Sequence, residues 1–119
     1  MNVDLSSFKP LYIKTAREYL LQMKKGLESL TEGNRNPEIV SQIHIAAHSL
    51  NSQSQIMGYT QIAGVCSAVE HVFKTLKDAP SKTIAPDQVK RYLTTVGALQ
   101  KAVDAVENGA PVPDLSIYL

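Results

Sequence analysis

A single cysteine, Cys66, stands in 119 residues. That excludes an intrachain disulfide and a cysteine-only metal cage, and it makes a reducing cytosol the expected setting. No apolar run approaches the ~20 residues needed to cross a bilayer. The opening residues Met1-Asn2-Val3-Asp4 lack the basic and apolar parts of a signal peptide. We therefore expect a soluble, cytoplasmic chain with no direct membrane contact except through a partner or a larger parent protein. An excess of one charge is missing too: 12 Lys and Arg face 11 Asp and Glu, and no basic block is longer than Lys24-Lys25. Nucleic acid needs a clustered positive surface, so it is not an expected partner. There is no Gly-rich nucleotide loop, no strand-like alternation, no internal repeat and no pattern that would prolong a coiled coil.

What remains is helical. With 44% apolar and 19% charged residues, the chain has the composition of one ordinary globular domain. A first helix is expected from an N-cap at Ser6 or Ser7, with Pro10 in its first turn and Phe8, Tyr12, Ala16, Tyr19, Met23, Leu27 and Leu30 down one face, widened by Leu11 and Leu20. Gly26 interrupts it at a cost of about 1 kcal/mol relative to Ala, and Thr31-Glu32-Gly33-Asn34 stops it. A second helix starts at Asn36-Pro37 and ends at Gly58, and a third follows from Thr60 as N-cap, burying Ile62, Val65, Val69, Val72 or Phe73, and Leu76. After a loop over residues 78–85, Pro86-Asp87 opens a fourth helix that Asn108-Gly109 stops. The expectation is an all-α, antiparallel up-down-up-down four-helix bundle over residues 1–109, with residues 110–119 as a linker or a docked tail.

The informative stretch is Ile45 to Tyr59. On the second helix Ile39, Ile43, Ala46, Leu50 and Ser54 make one stripe, while His44, His48, Asn51, Ser52 and Gln55 make another that carries no charged side chain. His48 is thus an uncrowded imidazole on a polar face, reachable by another protein. Glu70 lies at the margin of the third helix's apolar stripe, where a carboxylate can point toward a neighbouring helix.

Ala-His-Ser-Leu, a short polar run and then Met57-Gly58-Tyr59, with Gly58 ten residues after His48, resembles the histidine phosphotransfer (HPt) signature. Within that family the chain is most similar to the N-terminal phosphotransfer domain of CheA-type chemotaxis kinases. The resemblance spans about residues 4–108, but its specific motif is confined to residues 46–59 plus Glu70. It implies that His48 is the phosphoacceptor of a two-component phosphorelay and that Glu70, twenty-two residues on, orients it. It also implies two partners: a histidine-kinase catalytic domain that holds ATP, and a response-regulator receiver that brings its own Mg²⁺ and takes the phosphoryl group on an aspartate. The domain itself would bind no cofactor. His44, Asn51, Ser52 and Gln55 would form the phosphoryl and partner surface, and Gly58 would be structural. Two positions depart from the family pattern: Asn51 stands where Lys is usual, and Ser52 where Gly is usual. Asn offers hydrogen bonds without charge, so slower phosphorylation is expected rather than its loss.

Other readings stay open on the sequence. The loss of Lys at position 51 fits an HPt-like module that docks a receiver or kinase without being phosphorylated. His44 and His48, at i and i+4, could join Glu70 or His71 around Zn²⁺, but the chain lacks a His-Glu-x-x-His arrangement and a second carboxylate near the pair, so no metal is expected. His44 alone is a bystander, a neighbour that tunes charge, or half of that pair. Cys66 and the aromatics Phe8, Tyr12, Tyr19, Tyr59 and Phe73 are expected to pack.

Overall fold

The computed structural model describes residues 5–32 and 36–119. Among the described residues four α-helices follow one another with no strand: α1 (Lys9–Thr31), α2 (Pro37–Ile56), α3 (Thr60–Asp78) and α4 (Pro86–Glu107). A 3-10 turn at Leu5–Phe8 precedes them, and a second at Ser116–Tyr118 ends the chain. The segment Met1-Asn2-Val3-Asp4 and the Gly33-Asn34 part of the expected stop of α1 lie outside the described residues. α2 packs against both α1 and α3, and α1 also packs against α4. The all-α bundle is elongated, 48 × 25 × 21 Å. Among the described residues no helix is long and apolar enough to cross a membrane.

The core runs the length of this bundle. Leu20, Met23 and Leu27 of α1 meet Ile43 and Leu50 of α2, Ile62 and Phe73 of α3 and Leu99 of α4, all fully buried. Each such side chain contributes about 1.5–3 kcal/mol. Phe73 closes the α3–α4 side edge-on to Tyr92, ring centroids 5.7 Å apart. At one end of the bundle Arg17 forks across to Asp104 and Glu107 at 2.9 Å, tying α1 to α4. Both acids and the guanidinium are well exposed, so this network sets orientation more than stability.

Helix ends follow local chemistry. Asn36 caps α2 by accepting from the Glu38 N–H at 2.9 Å, with Pro37 at the first helical position. Gly58, at φ +81°, closes α2: its N–H donates to the Gln55 carbonyl and that of Tyr59 to the Ser54 carbonyl. Gly109, at φ +67°, repeats the arrangement after α4 with bonds to Val106 and from Ala110 to Ala105. At the start of α4 the Gln88 side chain accepts from the Ala85 N–H, half of a capping box that Ala cannot reciprocate.

Three expectations need correction. The N-cap of α1 is Phe8 rather than Ser6 or Ser7, because the 3-10 turn carries the chain through both serines before the α-helix begins. The N-cap of α3 is Tyr59, so Thr60 is already helical. Phe8 and Leu11 are not core: they are 52% and 59% exposed. The buried stripe of α1 centres on Tyr12, Ile13 and Ala16. Leu11 lies ~100° from Tyr12 and Phe8 precedes the helix. Both line a shallow apolar cleft of about 260 Å³ with Ile56 and Met57. Ile13, Val40 and Ala47 join the core, though the expected stripes omitted them.

Gly26 and the tail show how tightly this frame is built. A Cβ on Gly26 would lie 2.6 Å from Ile43 Cγ1 and 2.9 Å from its Cδ1, so α2 packs here against the bare backbone of α1. After Gly109 the chain lies back on the bundle: Leu115 is buried and its N–H donates to Gln61 Oε1 at 3.0 Å, with Val112 and Tyr118 packed beside it. Gly26→Ala should gain about 1 kcal/mol of helix propensity yet lose more through the collision with β-branched Ile43, lowering the urea midpoint. An unchanged or raised midpoint would show that Ile43 yields freely. Leu115→Ala should cost about 2–4 kcal/mol in the same measurement if the tail is part of the folded unit.

Candidate functional site

The tight reversal at Gly58 makes α2 and α3 antiparallel neighbours and sets the middle of one against the middle of the other. His48 and Glu70 meet across this seam. His48 Nδ1 lies 2.6 Å from Glu70 Oε1, with the imidazole side chain 60% exposed and the carboxylate only 20% exposed. A carboxylate accepts and does not donate, so Nδ1 carries a proton, and in the neutral ring Nε2 is then the nitrogen with the lone pair. The exposed nitrogen is therefore the nucleophilic one.

Glu70 accepts a second bond. Asn51, one turn after His48 on α2, donates from Nδ2 to Glu70 Oε2 at 3.2 Å, and Gln55 Nε2 donates to Asn51 Oδ1 at 2.8 Å. Burial alone would raise the carboxyl pKa, but the hydrogen bonds from His48 and Asn51 outweigh it and hold Glu70 below the ordinary range. Glu70 makes no ion pair with Lys74, the i+4 neighbour that an ordinary surface acid would use.

The structure thus brings together His48, Glu70, Asn51 and Gln55, and it stacks His44 against His48, ring centroids 6.4 Å apart with 23° between planes. Ser52 stays exposed on α2, outside this chain of bonds. His71, beside Glu70 in sequence, is also exposed and donates nothing to the site. Among the described residues no group of three or more His, Cys, Asp or Glu side chains is placed to hold a metal ion. Cys66 is buried in the core, where desolvation pushes its thiol up to about 12.

The far side of α2 carries a polar arrangement that the sequence reading did not find. Ser54 is fully buried and shares a 2.8 Å hydrogen bond with the Tyr12 hydroxyl, and the Tyr12 ring lies 5.0 Å from that of Tyr59. Beside them the Thr15 hydroxyl donates to Gln53 Oε1 at 2.7 Å. A serine on a buried helical stripe facing a tyrosine was the available signal, since a buried hydroxyl needs a partner.

His44 has a distinct environment. Its Nδ1 is buried and has no hydrogen-bond partner among the described residues. Desolvation, then the positive charges of Lys77 and Lys74 and the neighbouring His48 imidazole, lower its pKa from the ordinary 6.5 against the opposing pull of Glu70. The unfolded chain therefore binds more protons than the native one between the lowered value and 6.5, so His44 contributes stability above that window that is lost as the pH falls through it. Going from about pH 7.5 to about pH 5.5, the urea midpoint should drop, and by less in His44→Gln. Equal drops in both proteins would dissociate His44 from the acid sensitivity.

The chain is 26% identical over 115 residues to the chemotaxis protein CheA of Rhizobium meliloti (strain 1021), covering 94% of this chain and 15% of that protein. It is 26% identical over 99 residues to CheA of Listeria monocytogenes, covering 83% and 16%. With CheA of Bacillus subtilis it shares 22% over 107 residues, covering 90% and 16%. The chain thus spans about one sixth of the length of the curated relatives it matches. Residues 8–109, which run from the first 3-10 turn to the glycine that closes α4, match the Hpt domain, and the chain belongs to that family.

Proposed function

We propose that this domain is the phosphocarrier of a chemotaxis-type two-component relay, with His48 as its phosphoacceptor. The observation that carries the reading is the 2.6 Å bond from His48 Nδ1 to a shielded carboxylate, which leaves Nε2 bare on an exposed ring. In the first step Nε2 attacks the γ-phosphorus of ATP held by a histidine-kinase catalytic domain. The N–P bond forms, the bond from phosphorus to the bridging oxygen breaks, and ADP leaves with that electron pair. Glu70 faces the positive charge that builds on the ring at Nδ1. Such a transfer depends on in-line placement and electrostatics rather than on covalent help from the carrier.

In the second step the aspartate of a response-regulator receiver, with Mg²⁺ supplied at the receiver, attacks the same phosphorus. The N–P bond breaks and an acyl phosphate forms. An exposed histidine on a charge-free stretch of helix suits both exchanges, since neither partner meets a fixed charge of α2 between Ile39 and Tyr59. ATP and Mg²⁺ are thus brought by the partners. A cytoplasmic setting belongs to the same reading, as do the parent kinase and its receptor-coupling parts.

The decisive measurement is phosphorylation by a CheA-type catalytic fragment with labelled ATP. The wild-type domain should take up label that is lost in acid and retained in alkali, and His48→Gln should take up none. Glu70→Ala should slow uptake by about tenfold or more, the usual scale for removing a partner that fixes an imidazole. If the wild-type domain stays unlabelled while the same kinase labels a control HPt domain, the phosphocarrier reading fails and an unphosphorylated docking module takes its place.

A further inference from the structure

Neither phosphoryl exchange uses His44, yet it lies beside the ring that would carry the phosphoryl group. It stands one turn before His48 on the same face of α2, half-buried, with 6.4 Å between the two ring centroids and 23° between their planes. Its Nδ1 is buried and meets no hydrogen-bond partner among the described residues. We propose that His44 is a phosphoryl-stabilising residue, which offers an Nε2–H to the group on His48 and takes up a second proton when that group arrives.

A buried N–H without an acceptor is rarer in folded proteins than an under-satisfied acceptor, and the Nε2–H form is also the one that a free histidine side chain favours. Neutral His44 therefore keeps its proton on Nε2, at the end of the side chain. That nitrogen is a donor, which is what a phosphoryl oxygen accepts from. The oxygens of a phosphoryl group on His48 Nε2 stand above and below the plane of that ring, so part of the group is turned to the side on which His44 stacks.

Charge adds to this placement. In the resting domain desolvation does most to keep His44 neutral, followed by the positive charge of Lys77 on α3; Glu70 of α3 opposes them, and His48 of α2 and Lys74 of α3 again favour the neutral ring. Phosphorylation reverses the sign of one of these. The His48 side chain changes from a neutral or positive group into one that carries about two negative charges. One negative charge on Glu70 already pulls a proton toward His44, and a pair of them on the ring against which His44 stacks pulls further in the same direction. The added proton comes from solvent and enters at Nδ1, and no bond of the phosphoryl group changes.

The coupling is reciprocal: protonation of His44 strengthens phosphorylation of His48 by the same factor by which phosphorylation strengthens protonation. With the His44 pKa raised in the phosphorylated form, this stabilisation is complete below the resting value and is lost as the pH rises through the raised one. Phosphorylated His48 is thus favoured as the pH falls through that window. A lysine at position 51 would supply a fixed charge, whereas His44 supplies one that comes and goes with the phosphoryl group.

The inference rests on His48 being the phosphoacceptor, so the test begins by labelling the domain with a CheA-type catalytic fragment and ATP. The ring C–H signals of His44 are then titrated by NMR in labelled and unlabelled domain. They should titrate at higher pH in the phosphorylated form and return to the resting curve once the phosphoryl group has hydrolysed. At equilibrium with the fragment, ATP and ADP, the phosphorylated fraction of the wild type relative to His44→Phe should rise by about fivefold between about pH 8.5 and about pH 6.5. His44→Gln, which keeps a neutral donor, should fall behind the wild type only at the lower pH. One titration curve for His44 in both forms would overturn the inference, as would a wild-type advantage over His44→Phe that does not change with pH. A domain that takes up no label sinks the reading of His48 and this inference together, whereas a labelled domain with an unmoved His44 sinks this inference alone.

Discussion

A carboxylate can hold one nitrogen of an exposed imidazole only if the two helices bearing them keep a fixed rotation and a fixed register. In this bundle that constraint falls on α2. A one-residue slip of α2 would turn His48 by ~100° away from α3, and a one-turn slide would set Asn51 where the histidine now meets Glu70. Gly58 removes most of that freedom, because a two-bond helix closure at positive φ fixes where α3 begins relative to the last turn of α2. Gly26 removes more of it at the other end, where Ile43 fits against bare backbone and leaves α2 no room to roll toward α1.

Packing restrains the rotation of α2 at Ile43 more than along the rest of its buried face. Its buried face includes Ala46, Ala47 and Ser54, small groups that offer little shape to lock. Directional bonds supply what those residues lack. On one side Ser54 bonds Tyr12 and Gln53 accepts from Thr15, so α2 is tied to α1. On the other side His48 and Asn51 bond Glu70, so it is tied to α3. The two sets pull on opposite flanks of one helix, and a rotation that improved one would break the other. A buried hydroxyl pair contributes modestly when made and costs more when broken, which is the property a register device needs.

The sequence made much of this legible because helical chemistry is local. Apolar spacing located all four helices, Asn36-Pro37 and Pro86-Asp87 marked two of the starts, and Gly58 and Gly109 marked the two ends that close with positive φ. The family resemblance rested on the short motif around His48, and the match over residues 8–109 agrees with it. What escaped was rotation about the helix axis. Leu11 and Tyr12 are neighbours with the same apolar character, and only packing decides which of them faces inward. The direction of the Asn51 amide could not be read either, since an Asn on a polar face has solvent, partner and carboxylate all within reach. The Asn51 and Gln55 spacing was visible, but its meaning depended on where α3 placed Glu70.

The same placement bears on the departure from Lys at position 51. A phosphoryl group on His48 would bring about two negative charges toward a site that already contains a carboxylate, and a neutral Asn does nothing to offset them. Positive charge lies on the other helix: after desolvation, Lys77 and to a smaller extent Lys74 of α3 add to what lowers the His44 pKa. His44 in turn stacks on His48 without adding a charge of its own near neutral pH. Lys74 and Lys77 stand on α3 one and two turns beyond the carboxylate. Asn51 holds Glu70 without a charge of its own, at 3.2 Å, and is itself held by Gln55 at 2.8 Å.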